Sequence, residues 1–245
     1  MQTNYKLRVF ETEKLLNIAA AKLIIEIAHK AIAVRDRFVI ALSGGQTPTQ
    51  LYNLLSEPDY SNQIPWKKVH VFWGDERCVP ITDQRNNAYQ AKLALLNKIE
   101  IPTTNIHVIP VDLSPAVAAK RYEEEIKAFF QEKTARFDLI LLGLGENGHT
   151  ASLFPGTSVI NEDEEGIKGV FVQEQNEYRI TMTAPLINKA RNILFLVTGE
   201  NKAEILHKIL TAPYQPEIYP AQLINVSLGE LYWFADSKAA SLLNL

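Results

Sequence analysis

The chain has one cysteine, Cys78, in 245 residues. No internal disulfide can form, and a zinc site built on paired cysteines is ruled out. It also has no excess of positive charge: 25 Lys and Arg stand against 28 Asp and Glu, for a formal net charge of −3. Without a basic face, nucleic acid is not an expected partner. No apolar run approaches the ~20 residues that cross a bilayer, so no membrane is expected either. The opening MQTNYKLRVFETEK lacks the basic-then-apolar pattern of a signal peptide, and a cytoplasmic protein is the expectation. No Gly-x-Ser-x-Gly elbow is present, which argues against a serine hydrolase. The histidines, at 29, 70, 107, 149 and 207, include no pair at the spacing of a helical zinc site, so no metal is expected.

What is present is an alternation of apolar runs and amphipathic stretches. Hydrophobic residues make up 47% of the chain, enough for one large core or two small ones. Leu7–Phe10 reads as a short edge strand. The apolar spacing over Thr12–Val34 predicts a helix. Strands are predicted at Phe38–Leu42, Val69–Trp73, Ile106–Ile109, Leu139–Leu142, Arg179–Thr183, Ile193–Val197 and Leu231–Ala235. Helices are predicted at Pro48–Leu55, Asn87–Leu96, Ala116–Phe130, Lys202–Leu210 and Ser237–Leu243, with a proline-rich loop over Ala212–Pro220. Strands alternating with helices imply an α/β fold: a mostly parallel, Rossmann-like sheet with helices on both faces. Such sheets bind ligands at the carboxyl ends of their strands.

Three polar loops fall at predicted strand ends. In SGGQTP (Ser43–Pro48), Gly44 and Gly45 permit a sharp turn. Thr47 suits a helix N-cap, Pro48 the first helical position and Gln50 a capping box. A helix N-terminus behind a glycine turn is an anion site, although the Gly-Lys-Ser/Thr ending of a P-loop is missing. In WGDERCVP (Trp73–Pro80), Asp75, Glu76 and Arg77 are adjacent, and an arginine beside carboxylates can bind phosphate. Cys78 next to Arg77 is either an activated nucleophile or, more in keeping with cysteine's habits, a buried filler.

The third loop, in FDLILLGLGENGHTASLFPG (Phe137–Gly156), matches G-x-G-x-x-G at Gly143–Gly148. Pro155 follows too soon for the long helix a dinucleotide site needs. The glycines instead make room for a small ligand and for His149, the side chain there that exchanges a proton near neutral pH. Downstream, Arg179 begins a strand, Arg191 precedes one, and Lys202 opens a helix after Thr198–Asn201.

In this order, LSGGQTP, WGDERCVP with Asn86-Asn87, LLGLGENGHTASLFPG, RITMT with Ala190-Arg191, and VTGENKA resemble the 6-phosphogluconolactonases over nearly the whole chain. The resemblance implies one domain over 1–245 with a fold like that of the glucosamine-6-phosphate deaminases. The deaminases typically carry an acidic residue just beyond the loop histidine and a tyrosine after the Asp-Glu pair. Here Ala151–Pro155 has no acid and Arg77 follows Glu76, which favours the lactonase. One position departs from the pattern: the family's loop usually reads Asp-Gly-His, and here Asn147 replaces the aspartate and carries no negative charge.

The resemblance implies hydrolysis of 6-phospho-D-glucono-1,5-lactone to 6-phosphogluconate in the pentose phosphate pathway, with no cofactor. His149 would be the general base, and Asp75 and Asn147 would orient it or the substrate. The backbone amides of Gly44–Gly45 or Gly145–Gly148 would stabilise the oxyanion. The phosphate would be clamped by Arg77 and Lys202 with Arg179 or Arg191, and Ser43 and Thr47 complete the expected substrate-binding set. Two rivals stand beside this reading. One is an amino-sugar-phosphate deaminase or isomerase. The other is a sugar-phosphate sensor, which would carry a helix-turn-helix module.

Overall fold

The computed structural model describes residues 5–131, 133–226 and 228–244. Its centre is a six-stranded sheet built from β1 (Tyr5–Phe10), β2 (Phe38–Leu42), β3 (Val69–Trp73), β5 (Leu139–Leu142), β8 (Asn192–Val197) and β9 (Glu230–Asp236). The spatial order is β1-β9-β8-β5-β2-β3, and every neighbouring pair is parallel. β2 and β5 are buried at every position, as suits β-branched and aliphatic runs covered on both sides.

Between these strands lie the crossover helices. The longest, Glu13–Arg35, starts where the Thr12 hydroxyl accepts the Leu15 N–H and ends at Asp36 in the left-handed region. Leu16, Ala20, Ile24, Ala28 and Ala31 form its buried face, spaced to stay on one side of the cylinder. Among the described residues, no helix is long and apolar enough to cross a membrane.

A second sheet was not anticipated. β4 (Asp75–Arg77), β6 (Ile167–Val172) and β7 (Glu177–Met182) form a three-stranded antiparallel sheet in the order β4-β7-β6. The segment expected to be a polar loop at Asp75–Arg77 is therefore a short strand, and the strand expected at Arg179–Thr183 belongs to this sheet. In β6, buried Val170 and Val172 alternate with exposed Gly169 and Phe171. Asn176, with φ of 48°, supplies the left-handed residue that turns β6 into β7.

Two further expectations fail. At Ile106–Ile109 only Ile106 bridges to Val71, since Pro102 and Pro110 leave too little free backbone for a ladder. Ser237–Leu243 forms turns rather than a helix. The Asp236 carboxylate accepts the Ala239 N–H and its carbonyl the Ala240 N–H, which completes a single turn.

Sheet order locates the crevice. From β2 the chain moves outward to β3, whereas β5 leads the other way to β8. The loops after β2 and β5 thus diverge, and the carboxyl ends of these two neighbours are the topological switch point.

Candidate active site

A cavity of about 610 Å³ opens at this switch point. Gly44, Gly45 and Thr47 line it from the loop after β2, Gly143 and Leu144 from the loop after β5, and Thr198, Gly199 and Lys202 from the loop after β8. Gly45 (φ 113°) is the N-cap of helix Gln46–Ser56. The helix thus starts one residue before Thr47, the expected cap. The Thr47 hydroxyl is instead bonded to that of Thr198, 2.7 Å away. Among the described residues, the Gly44 and Gly45 N–H groups have no acceptor. A helix N-terminus, free amides, a hydroxyl and an ammonium converging on one cavity are an anion seat. Burial lowers the Lys202 pKa from its ordinary value, and Glu146, at 3.9 Å, opposes that.

His149 sits further along the loop after β5. Its ring stacks on Phe154 with centroids 3.8 Å apart. Its other flank is closed by Gly145, where any Cβ would stand 2.0 Å from His149 Nδ1. The Asn147 Oδ1 lies 2.6 Å from Nδ1 and accepts the His149 backbone N–H at 3.2 Å. A backbone N–H can only donate, so it fixes which amide atom faces the histidine. Nδ1 must then carry the imidazole proton, and Nε2 keeps the lone pair of a base. Burial first, then the charges of Arg179, Lys202 and Arg77, push the pKa of His149 down to about 3. The imidazole is therefore neutral near pH 7.

The same three cations identify the remainder of the site. Arg77 of β4 stands directly opposite Arg179 of β7 in the antiparallel register. Like charges placed so are destabilising by themselves and favour an anion between them. Arg179 is buried, and its guanidinium lies 5.5 Å from the Phe154 ring that carries His149. It is held by Gln175, by Glu177 at 3.4 Å and by Asp75 at 3.9 Å.

Asp75 is buried and accepts the Ser152 hydroxyl at 2.6 Å. It braces Arg179 and the loop after His149. Glu76 accepts the N–H groups of Arg77, Asn87 and Ala88 and so anchors helix Asn87–Ala94. Burial raises it to about 7 against those bonds. The Asn87 side chain in turn packs on Gly44, whose Cβ would meet it at 1.7 Å.

The structure does not bring Arg191 to these loops. It precedes β8 at the amino end of the sheet and pairs with Asp138 at 3.4 Å; a residue just before a parallel strand faces away from the crevice. The Gly145 N–H donates to the His149 carbonyl and the Gly148 N–H to the Gly145 carbonyl. These amides shape the loop and are not free for an oxyanion. Ser43 is buried, with its backbone N–H and carbonyl both tied to the Tyr52 hydroxyl. Burial pushes the Cys78 thiol up to about 11, which excludes a ready thiolate. Among the described residues, no group of three or more His, Cys, Asp and Glu could hold a metal ion.

Sequence reasoning passed over Phe154, Ser152, Glu174 and Asp236. Phe154 and Ser152 stood in the glycine-histidine motif without a role. Asp236 accepts the Gly199 N–H at the end of β9. Glu174, from the turn between β6 and β7, accepts the Asn147 amide at 2.6 Å, and no local pattern joins positions so far apart in sequence.

Comparison with known proteins agrees with this architecture. The chain is 44% identical over 214 residues, 86% of each chain, to a Synechocystis protein named 6-phosphogluconolactonase. It is 42% identical over 205 residues to one of the same name from Haemophilus influenzae, covering 83% of this chain and 87% of that one. The solved structure of 6-phosphogluconolactonase from Trypanosoma cruzi superposes with a TM-score of 0.87 at 28% identity, over 100% of this chain and 99% of that one. Residues 11–233 match the model of the family described as glucosamine-6-phosphate isomerases/6-phosphogluconolactonase, and the chain belongs to that family.

Proposed function

We propose that this chain hydrolyses 6-phospho-D-glucono-1,5-lactone to 6-phospho-D-gluconate, with His149 as the general base. The observation that carries the reading is the histidine itself. It is a neutral imidazole whose Nδ1 proton is held by Asn147, within electrostatic reach of Arg77, Arg179 and Lys202, on a loop at a topological switch point. A lactone is an activated ester, so its hydrolysis needs an activated water and a place for negative charge. The names of the relatives support the same substrate.

In this reading the phosphate sits at the N-terminus of helix Gln46–Ser56, on the Gly44 and Gly45 amides, Thr47 and Lys202. His149 Nε2 takes a proton from water as the water oxygen bonds to C1. The carbonyl becomes an oxyanion facing Arg77 and Arg179, which Asp75 and Glu177 brace. Collapse of the intermediate breaks the bond from C1 to the ring oxygen. The imidazolium returns its proton to that oxygen, leaving the open-chain acid. The site residues that meet substrate are thus Gly44, Gly45, Thr47, Arg77, His149, Arg179 and Lys202, with Asn147 and Asp75 acting through them.

The test is the His149→Ala variant, followed by proton release from freshly prepared lactone with spontaneous hydrolysis subtracted. Loss of the base is expected to lower kcat by about 10²–10⁴-fold. A fall under about tenfold would reject the general-base role. Ammonia release from glucosamine 6-phosphate, measured alongside, is expected to be absent.

A further inference from the structure

Asn147 is a neutral amide doing a job for which orientation is everything. Its oxygen serves the base only while it points at His149. Turned by 180°, it would set an NH₂ donor against the His149 backbone N–H and against Nδ1–H. The Oδ1 side meets two donors, the backbone N–H at 3.2 Å and Nδ1 at 2.6 Å. On the Nδ2 side stands a single carboxylate, Glu174 Oε1, at 2.6 Å. Glu174 lies in the turn Gln173–Gln175, and the next residue of that turn, Gln175, accepts from Arg179. The turn between β6 and β7 therefore touches both the base's partner and the arginine beside it.

We propose that Glu174 is a positioning residue for the base. It locks the Asn147 amide so that Oδ1 faces His149, and its charge polarises the amide so that Oδ1 accepts the Nδ1 proton more strongly. The Glu174–Asn147–His149 chain then keeps one tautomer, with Nε2 free. This inference rests on the proposed role of His149 as base.

The experiment combines 15N NMR of the His149 imidazole with steady-state kinetics on the lactone. Wild type is expected to show a single tautomer protonated at Nδ1. Glu174→Ala is expected to show a mixture of tautomers and a fall in kcat of about tenfold, below the 10²–10⁴ of removing the base, with KM little changed. Glu174→Gln keeps an acceptor for Nδ2 and is expected to recover the single tautomer and to stay within about threefold of wild type in kcat, the residue of polarisation lost.

Asn147→Asp supplies the second decisive background. A carboxylate there accepts Nδ1–H with either oxygen, needs no orienting partner and repels Glu174. Adding Glu174→Ala to Asn147→Asp is therefore expected to leave kcat unchanged or raise it, abolishing or reversing the loss seen in the Asn147 background. Two results overturn the inference: an unchanged tautomer and kcat in Glu174→Ala, or equal losses in both backgrounds, which would mean that Glu174 only supports its turn. If wild type fails to turn over the lactone, the functional reading falls, and the NMR measurement still decides whether Glu174 sets the tautomer.

Discussion

Each end of the parallel sheet gathers arginines around a buried aspartate, and the two ends do opposite things with them. At the amino end Asp138 touches Arg35 at 2.7 Å and Arg191 at 3.4 Å, and it accepts the Val39 N–H. The charges are in contact, and they tie the last turn of helix Glu13–Arg35 to the starts of β2, β5 and β8. At the carboxyl end Asp75 is occupied by Ser152, and Arg179 stands 3.9 Å off. Arg77 makes no ion pair with any described residue. Both arginines at the amino end are paired with carboxylate, whereas at the carboxyl end Arg179 is paired with Glu177 and Arg77 donates only to the Arg85 carbonyl, so one positive charge there stays uncompensated. What separates a fastening from a site is whether every guanidinium is matched by a carboxylate, as at Asp138, or one is left over, as at Arg77.

Substitutions at the two ends test that contrast. The largest effect is expected at the open end. Arg179→Lys and Arg77→Ala each remove a charge-assisted hydrogen bond worth roughly 1.5–3 kcal/mol. That corresponds to a fall of about 10–100-fold in kcat/KM. If these arginines meet the oxyanion, phosphorylated and unphosphorylated lactones suffer alike. Lys202→Ala should instead penalise only the phosphorylated substrate, chiefly in KM. An unphosphorylated lactone that is indifferent to Arg179→Lys would move that arginine into the phosphate seat.

At the closed end, Asp138→Ala strands the Val39 N–H and two arginines that each keep about a third of their side chains in solvent. The expected cost is about 2–3 kcal/mol in denaturant unfolding, less than for a fully buried pair. Turnover per folded molecule should not change. A fall in kcat with stability intact would erase the distinction between the ends.

The smallest effect is a titration. His149 is held near 3 in the free protein. An anion among Arg77, Arg179 and Lys202 offsets the repulsion that disfavours the imidazolium. Binding 6-phosphogluconate should therefore raise the midpoint seen by NMR by about 1, which is ~1.4 kcal/mol. The kcat limb should accordingly lie at higher pH than the His149 limb of kcat/KM. For stability the sign runs the other way. An unfolded histidine protonates near 6.5 while the folded one resists, so this site's contribution is present above 6.5 and is lost as pH falls toward 3. A free-protein midpoint near 6.5 would contradict the buried site within electrostatic reach of three cations.

Patterns that obey a local period could be read directly. β2 and β5 are continuous apolar runs, β3 and β8 are apolar but for His70 and Asn192, and helix Glu13–Arg35 shows its buried face at the expected spacing. The small sheet escaped because β4 is three residues of charge, Asp75–Arg77, whose strand character comes only from pairing with β7. Arg191 was misplaced because a basic residue before a strand looks like one after a strand until chain direction is drawn. The loop amides of Gly145 and Gly148 looked available because glycine advertises backbone freedom, while its hydrogen bonds are decided by the fold. Glu174 could not be found at all, since its partner is 27 positions away on another loop.

The register of the sheet carries one more consequence. β2 delivers the Gly44–Gly45 seat and β5 delivers His149, and the two are hydrogen-bonded neighbours with Ile40 opposite Leu139 and Ala41 opposite Ile140. Paired strands stay about 4.8 Å apart and do not slide. In the proposed function, an anchor and a base mounted on such a frame would act as a gauge of length: with the phosphate seated, only a carbonyl the right number of bonds away would reach the imidazole. On the same proposal, a shorter or longer sugar phosphate would occupy the seat and still be left unmeasured by the base.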